Sequence, residues 1–169
     1  MTLGSIAIAG TVSGCWGGAN PVEDIPHAYG SQAEVGGIDL RNVRITPSVE
    51  PGTCVMQRDG PSELSFTAVN TGREPDRLVG ITSDAAQSVT IEAAPDLLLL
   101  AGGSALAAGQ PVEQLDTPMA PDEPIHVLMY QLEEWVQPGR SAAVTFVFEV
   151  AGSATVEAPI DSCPSGAPR

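Results

Sequence analysis

Proline and glycine interrupt this chain at short intervals, fifteen of one and eighteen of the other in 169 residues, so no apolar periodicity runs long enough for a helix of three turns. What remains between the interruptions is a series of short apolar runs, each closed by turn residues, and that pattern specifies strands. Ser62 to Asn70 sets Leu64, Phe66 and Ala68 against Ser65, Thr67 and Val69 before Asn70-Thr71-Gly72 turns the chain. Ser141 to Val150 alternates best, with Val144, Phe146, Phe148 and Val150 against Thr145, Val147 and Glu149. Ile38, Leu40, Val43 and Ile45 open an earlier strand that Thr46-Pro47 stops. Arg77 to Ile81, Val89 to Ala93, Leu97 to Leu100, Ile125 to Leu132 and Ala154 to Ile160 complete the set, with Pro111 to Leu115 a further run of poorer pattern. Eight or nine short strands at this spacing predict an all-β chain folded as a β-sandwich. Four leucines in a row at Leu97 to Leu100 read as a strand buried on both faces.

The domain implied by these runs spans residues 37 to 161, followed by a Pro/Gly/Ser tail from 162 to 169. Residues 15 to 36 lack apolar periodicity and read as a flexible N-terminal tether. Ahead of the tether, Met1 to Asn20 carries no charged side chain, and Leu3 to Val12 is a small, apolar run leading into Val12-Ser13-Gly14-Cys15. That run is too short for a bilayer core of ~30 Å, so residues 1 to 14 read as a signal peptide although no basic residue precedes the run. The last four residues resemble a bacterial lipobox, which makes Cys15 the expected lipidation site and the membrane its partner through the lipid. The competing reading is an ordinary thiol closing a buried strand.

With Cys15 lipidated, Cys54 and Cys163 remain as an even pair, as expected of an extracytoplasmic, oxidising compartment. A disulfide between them would close a long loop and stabilise the fold by ~4–5 kcal/mol in the chain-entropy model. The alternative is a thiol pair in redox or metal service, for which the C-x-x-C spacing is lacking.

Charge narrows the partners. The formal net charge is -14, and all seven basic residues are Arg, scattered from Arg41 to Arg169. A phosphate-neutralising surface needs clustered cations, so nucleic acid is excluded as a partner. Lysine is absent, which removes Schiff-base chemistry and the phosphate-loop lysine together. Asp122-Glu123 and Glu133-Glu134 are adjacent carboxylates in turns and read as solvated surface. No G-x-S-x-G and no EF-hand spacing occurs, so the residues themselves support no enzyme. Asp76, beside Arg77, reads as a turn anchor.

Three ordered landmarks carry a resemblance. They are Asn70-Thr71-Gly72 with Asp76-Arg77-Leu78-Val79-Gly80-Ile81-Thr82-Ser83, then Pro124-Ile125-His126-Val127-Leu128-Met129, then Gln137-Pro138-Gly139 with Val144-Thr145-Phe146-Val147-Phe148-Glu149 and Gly152. Together, over about residues 38 to 160, they resemble the PCu(A)C periplasmic copper-chaperone family and the actinobacterial LpqE-type lipoproteins grouped with it. The resemblance implies a cupredoxin-like, immunoglobulin-like β-sandwich that holds Cu(I) at its surface and, in better-known members, delivers it toward oxidase assembly. Members carry His-Met, ten residues, Met, twenty-one residues and His-x-Met, because thioether sulfur with imidazole suits Cu(I). Aligned on His126, that spacing falls on Glu92 and Ala93, on Ser104 and on Leu128, so His126 alone is kept.

Met129 and Met119 are the sulfur ligands that remain near His126, with Met56 and His27 further off. Successive strand residues alternate faces, so His126 and Met129 share one only if a bulge separates them. Met119 lies in the Pro-rich loop before His126 and reaches it by folding back. Each also has an ordinary reading, Met129 as core filler and His126 as a hydrogen-bonded ring. Two functions follow. One is a cell-envelope lipoprotein that binds and delivers Cu(I) through His126; the other is a metal-free, lipid-anchored module that binds another envelope protein through an apolar patch near Trp135 or Leu97 to Leu100.

Overall fold

A computed structural model describes residues 30–50, 55–109 and 125–162. Ten strands run through them: β1 Ser31–Val35, β2 Ile38–Thr46, β3 Ser62–Asn70, β4 Asp76–Ser83, β5 Ala86–Glu92, β6 Leu99–Leu100, β7 Ala105–Ala108, β8 His126–Leu132, β9 Ser141–Phe148 and β10 Gly152–Pro159. One sheet has the order β1-β2-β3-β8-β5, with β7 also paired to β3; the other has the order β10-β9-β4-β6. All strand pairs are antiparallel.

The inward-facing residues of the two sheets make one core. Leu40, Val43, Ile45, Leu64, Phe66 and Ala68 come from the first sheet, and Leu78, Ile81, Val144, Phe146, Phe148 and Val156 from the second. Along Ser141 to Phe148 the alternation is that of core and surface, whereas in Ser62 to Asn70 Ser65 and Thr67 are buried on the opposite face as well, and Val150, expected on the core side, is exposed. Phe66 and Phe146, both fully buried, meet edge to face with ring centroids 4.8 Å apart and planes at 74°. That geometry sets the positive ring edge against the negative ring face and locks the sheets at mid-core.

Two expectations need correction, and a third feature is a strand the sequence reading does not foresee. The tether was expected to run to residue 36, but Ser31–Val35 forms the edge strand β1, pairing with β2 from Val35↔Ile38 to Ser31↔Val43. Its turn, Gly36-Gly37, has φ of 54° and 88°, the left-handed pair that a tight hairpin demands and that glycine adopts freely. Ser31 Oγ also donates to the Glu157 carbonyl of β10, so β1 touches both sheets. Second, the strand expected at Leu97 to Leu100 shrinks to Leu99–Leu100, and Leu97 and Leu99 are 40% and 48% exposed. Third, Ala105–Ala108 is a strand buried at all four positions, although alanine is a poor strand former. The run Pro111 to Leu115 lies outside the described residues.

Asp76 anchors a turn. It is buried at the start of β4, where its carboxylate accepts from the backbone N–H groups of Arg77, Val150 and Ala151 at 2.7, 2.9 and 2.8 Å. Burial alone would raise its pKa, but the amides of Val150, Ala151, Arg77 and Glu149 outweigh it and hold the carboxyl below its ordinary range.

Candidate metal centre

His126 opens β8, on the outer face of the first sheet. The strand starts there because Ile125 N–H donates to the Ala107 carbonyl and Gly109 N–H to the Ile125 carbonyl, which ties the head of β8 to the end of β7. Val127 and Met129 face the core, while His126 and Leu128 face outward. The register Glu92↔His126, Ile91↔Val127, Thr90↔Leu128 and Val89↔Met129 runs unbroken. The bulge that would bring Met129 beside His126 is therefore absent. β8 does break its alternation, but later: Gln131 takes a φ of 54°, which returns Leu132 to the core.

The pairing of Met129 with His126 as ligands is thereby corrected. Met129 is 0% exposed and belongs to the core, on the face opposite the imidazole. Met56 packs against the core from the bridge it makes with Val49. Met119, His27, Cys15, Cys54 and Cys163 lie outside the described residues.

What stands beside the imidazole is a carboxylate. His126 Nδ1 lies 3.2 Å from Glu63 Oε1, with the two side chains 60% and 37% exposed. A carboxylate only accepts, so Nδ1–H donates, and in the neutral ring the lone pair sits on Nε2. Glu63 reaches His126 through β3, whose first residues pair with β8 as Ser62↔Met129 and Glu63↔Leu128. Gly109 holds it from the other side: a Cβ there would fall 3.2 Å from the Glu63 carboxyl and 2.6 Å from Ser65 Oγ. A side chain at Gly109, where φ is 58°, would thus displace the carboxylate. The third member of this face is Glu92, exposed and directly opposite His126 in the β5–β8 register.

Sequence reasoning singled out His126 and missed Glu63. The two are far apart in the chain, and no motif links them; only the β3–β8 pairing does. Among the described residues, no group of three or more His, Cys, Asp or Glu side chains is already gathered round one point. Chemically, the face offers one imidazole nitrogen oriented by a carboxylate, with a second carboxylate within a side chain's reach.

The family model described as LpqE-like matches residues 38–160. Curated proteins yield no match. Among solved structures, the copper-bound PCuAC domain from PmoF2 is similar over 78% of this chain and 98% of its own, at 26% identity and a TM-score of 0.56. The apo PmoF2 PCuAC domain matches 78% of this chain and 94% of its own, at 27% identity and a TM-score of 0.53. The apo PCuAC domain from PmoF1 covers the same share of this chain and 99% of its own with a TM-score of 0.58; its 20% identity speaks for the fold alone. The sandwich is accordingly cupredoxin-like.

Proposed function

Since this chain belongs to the LpqE-like family, we propose that it is a copper-handling lipoprotein of the cell envelope, held to the membrane by lipid on Cys15, which takes copper at His126 and passes it on. The observation that carries this reading is the exposed imidazole whose Nδ1–H is held by Glu63. A histidine that ligates a metal commonly donates its other ring N–H to a carboxylate, which fixes the ring and strengthens the free nitrogen as a donor. Exposure suits a carrier: a surface ion with few protein ligands leaves by ligand exchange without opening the core. The copper-bound PmoF2 domain supports copper as the cargo.

The test is copper titration of the full chain in detergent against a competing chelator, in both oxidation states, alongside His126→Ala. One-to-one binding lost in the variant supports the proposal. Binding too weak to compete in either state, or unaffected by the substitution, overturns it. A second reading then takes over, the metal-free module that binds an envelope protein. It is favoured by Leu97, Leu99 and Val79, which put exposed apolar surface around the β4–β6 edge of the second sheet.

A further inference from the structure

We infer that the face around His126 selects a divalent cation over Cu(I), with Glu92 as the second protein ligand and Glu63 as a positioning residue. This rests on the copper reading above, and within it the cargo at this site is Cu(II).

Among the described residues, soft ligands are withdrawn from the face. Of the methionines among the described residues, Met129 points into the core and Met56 packs against it. Leu128, the outward residue two along from His126, carries no donor atom. Carboxylates stand in their place. Glu92 pairs with His126 across β5 and β8, and directly opposed residues share a face with Cβ atoms ~4.5–5.5 Å apart. Two donors on one ion, each ~2.0–2.2 Å from it, are therefore within the span of a glutamate side chain and an imidazole across that pair. Glu63 is already engaged with Nδ1 and acts through the ring.

Imidazole nitrogen with carboxylate oxygen is a borderline-to-hard donor set. It suits divalent ions, among which Cu(II) ranks highest by the Irving–Williams order, whereas Cu(I) favours thioether and thiolate sulfur. Since no third such side chain among the described residues is gathered at the site, water completes the coordination and the ion stays exchangeable. The net charge of -14 adds a field that concentrates cations at the surface.

The test compares Cu(II), Cu(I) and Zn(II) binding to the full chain in detergent, with electron paramagnetic resonance reading the Cu(II) ligands. The wild type is expected to hold Cu(II) in preference to Cu(I), with nitrogen and oxygen donors in the spectrum. Glu92→Gln should remove competitive Cu(II) binding, and Glu92→Met should shift the preference toward Cu(I). Glu63→Ala should weaken binding by ~10–100-fold and move the ring proton from Nδ1 toward Nε2 in nitrogen-detected NMR. Cu(I) held more tightly than Cu(II), or Cu(II) binding indifferent to Glu92→Gln, overturns this inference and leaves the copper reading standing. Neither oxidation state held better by the wild type than by His126→Ala overturns the copper reading and this inference with it.

Discussion

Replacing Asp76 with alanine removes the acceptor of three backbone N–H groups at once. Oδ1 serves Arg77 and Val150, and Oδ2 serves Ala151. Each hydrogen bond to a charged acceptor contributes ~1.5–3 kcal/mol, but the three share one carboxylate and do not add. Val150 is exposed, so water recovers part of the loss there. The expected cost of Asp76→Ala is therefore ~2–3 kcal/mol, or about 5–10 °C in Tm for a chain of this size. Asp76→Asn keeps one oxygen for Arg77 and Val150 but turns an NH2 toward the Ala151 N–H, so about 1–2 kcal/mol is expected.

The pH dependence carries a definite sign. The folded carboxyl titrates below its ordinary 3.8, so the stabilisation is fully present above that value and is lost as pH falls through the depressed folded value. Urea denaturation of wild type and both variants, from about pH 6 down to about pH 2, should show a difference that is flat above pH 4 and shrinks below it. A difference under ~0.5 kcal/mol at neutral pH, or one that does not shrink in acid, would refute the reasoning.

Two further outcomes follow from the structure and the sequence. Gly109→Ala forces a Cβ onto Ser65 Oγ and the Glu63 carboxyl at a φ of 58°; it should cost ~1–2 kcal/mol in thermal unfolding and release His126 from Glu63, visible as a mixed ring tautomer by NMR. Unchanged ring nitrogen signals would count against Gly109 as the wall behind Glu63. Cys15→Ala should move the chain expressed in bacteria from the detergent phase to the aqueous phase of a detergent partition, since two acyl chains suffice for stable anchoring. Wild type already in the aqueous phase would remove the lipid from the proposal.

The parts of the fold legible in the sequence are those whose strands alternate large apolar core residues with polar or smaller ones. Ser62 to Asn70 and Ser141 to Val150 alternate because their inner residues meet at Phe66 and Phe146, and both segments are strands in the structure. β7 was missed because Ala105–Ala108 is buried on both faces, which leaves no alternation to read. β1 was missed because Ser31–Val35 is a half-exposed edge with only Ala33 and Val35 packed against the core. Its Gly36-Gly37 pair is a hairpin signal, masked by the tether-like composition that precedes it. At the site, alternation set the condition, a bulge, under which His126 and Met129 share a face, and the unbroken β5–β8 register removes it. Glu63 was illegible because its place depends on which strand neighbours β8, a property of the whole sheet.

Gln131 divides β8 into two half-strands of opposite phase. Ahead of it the odd-numbered Val127 and Met129 point inward, and beyond it the even-numbered Leu132 does. Past this kink the chain is held by Glu133 N–H on the Ala85 carbonyl and by the buried Val136. An extra residue between His126 and Met129 has no such joint to absorb it. It would set the two side chains four residues apart and so on one face, either drawing the imidazole inward or bringing the thioether out beside it. At the head of this strand a single insertion therefore rewrites which atoms the surface presents.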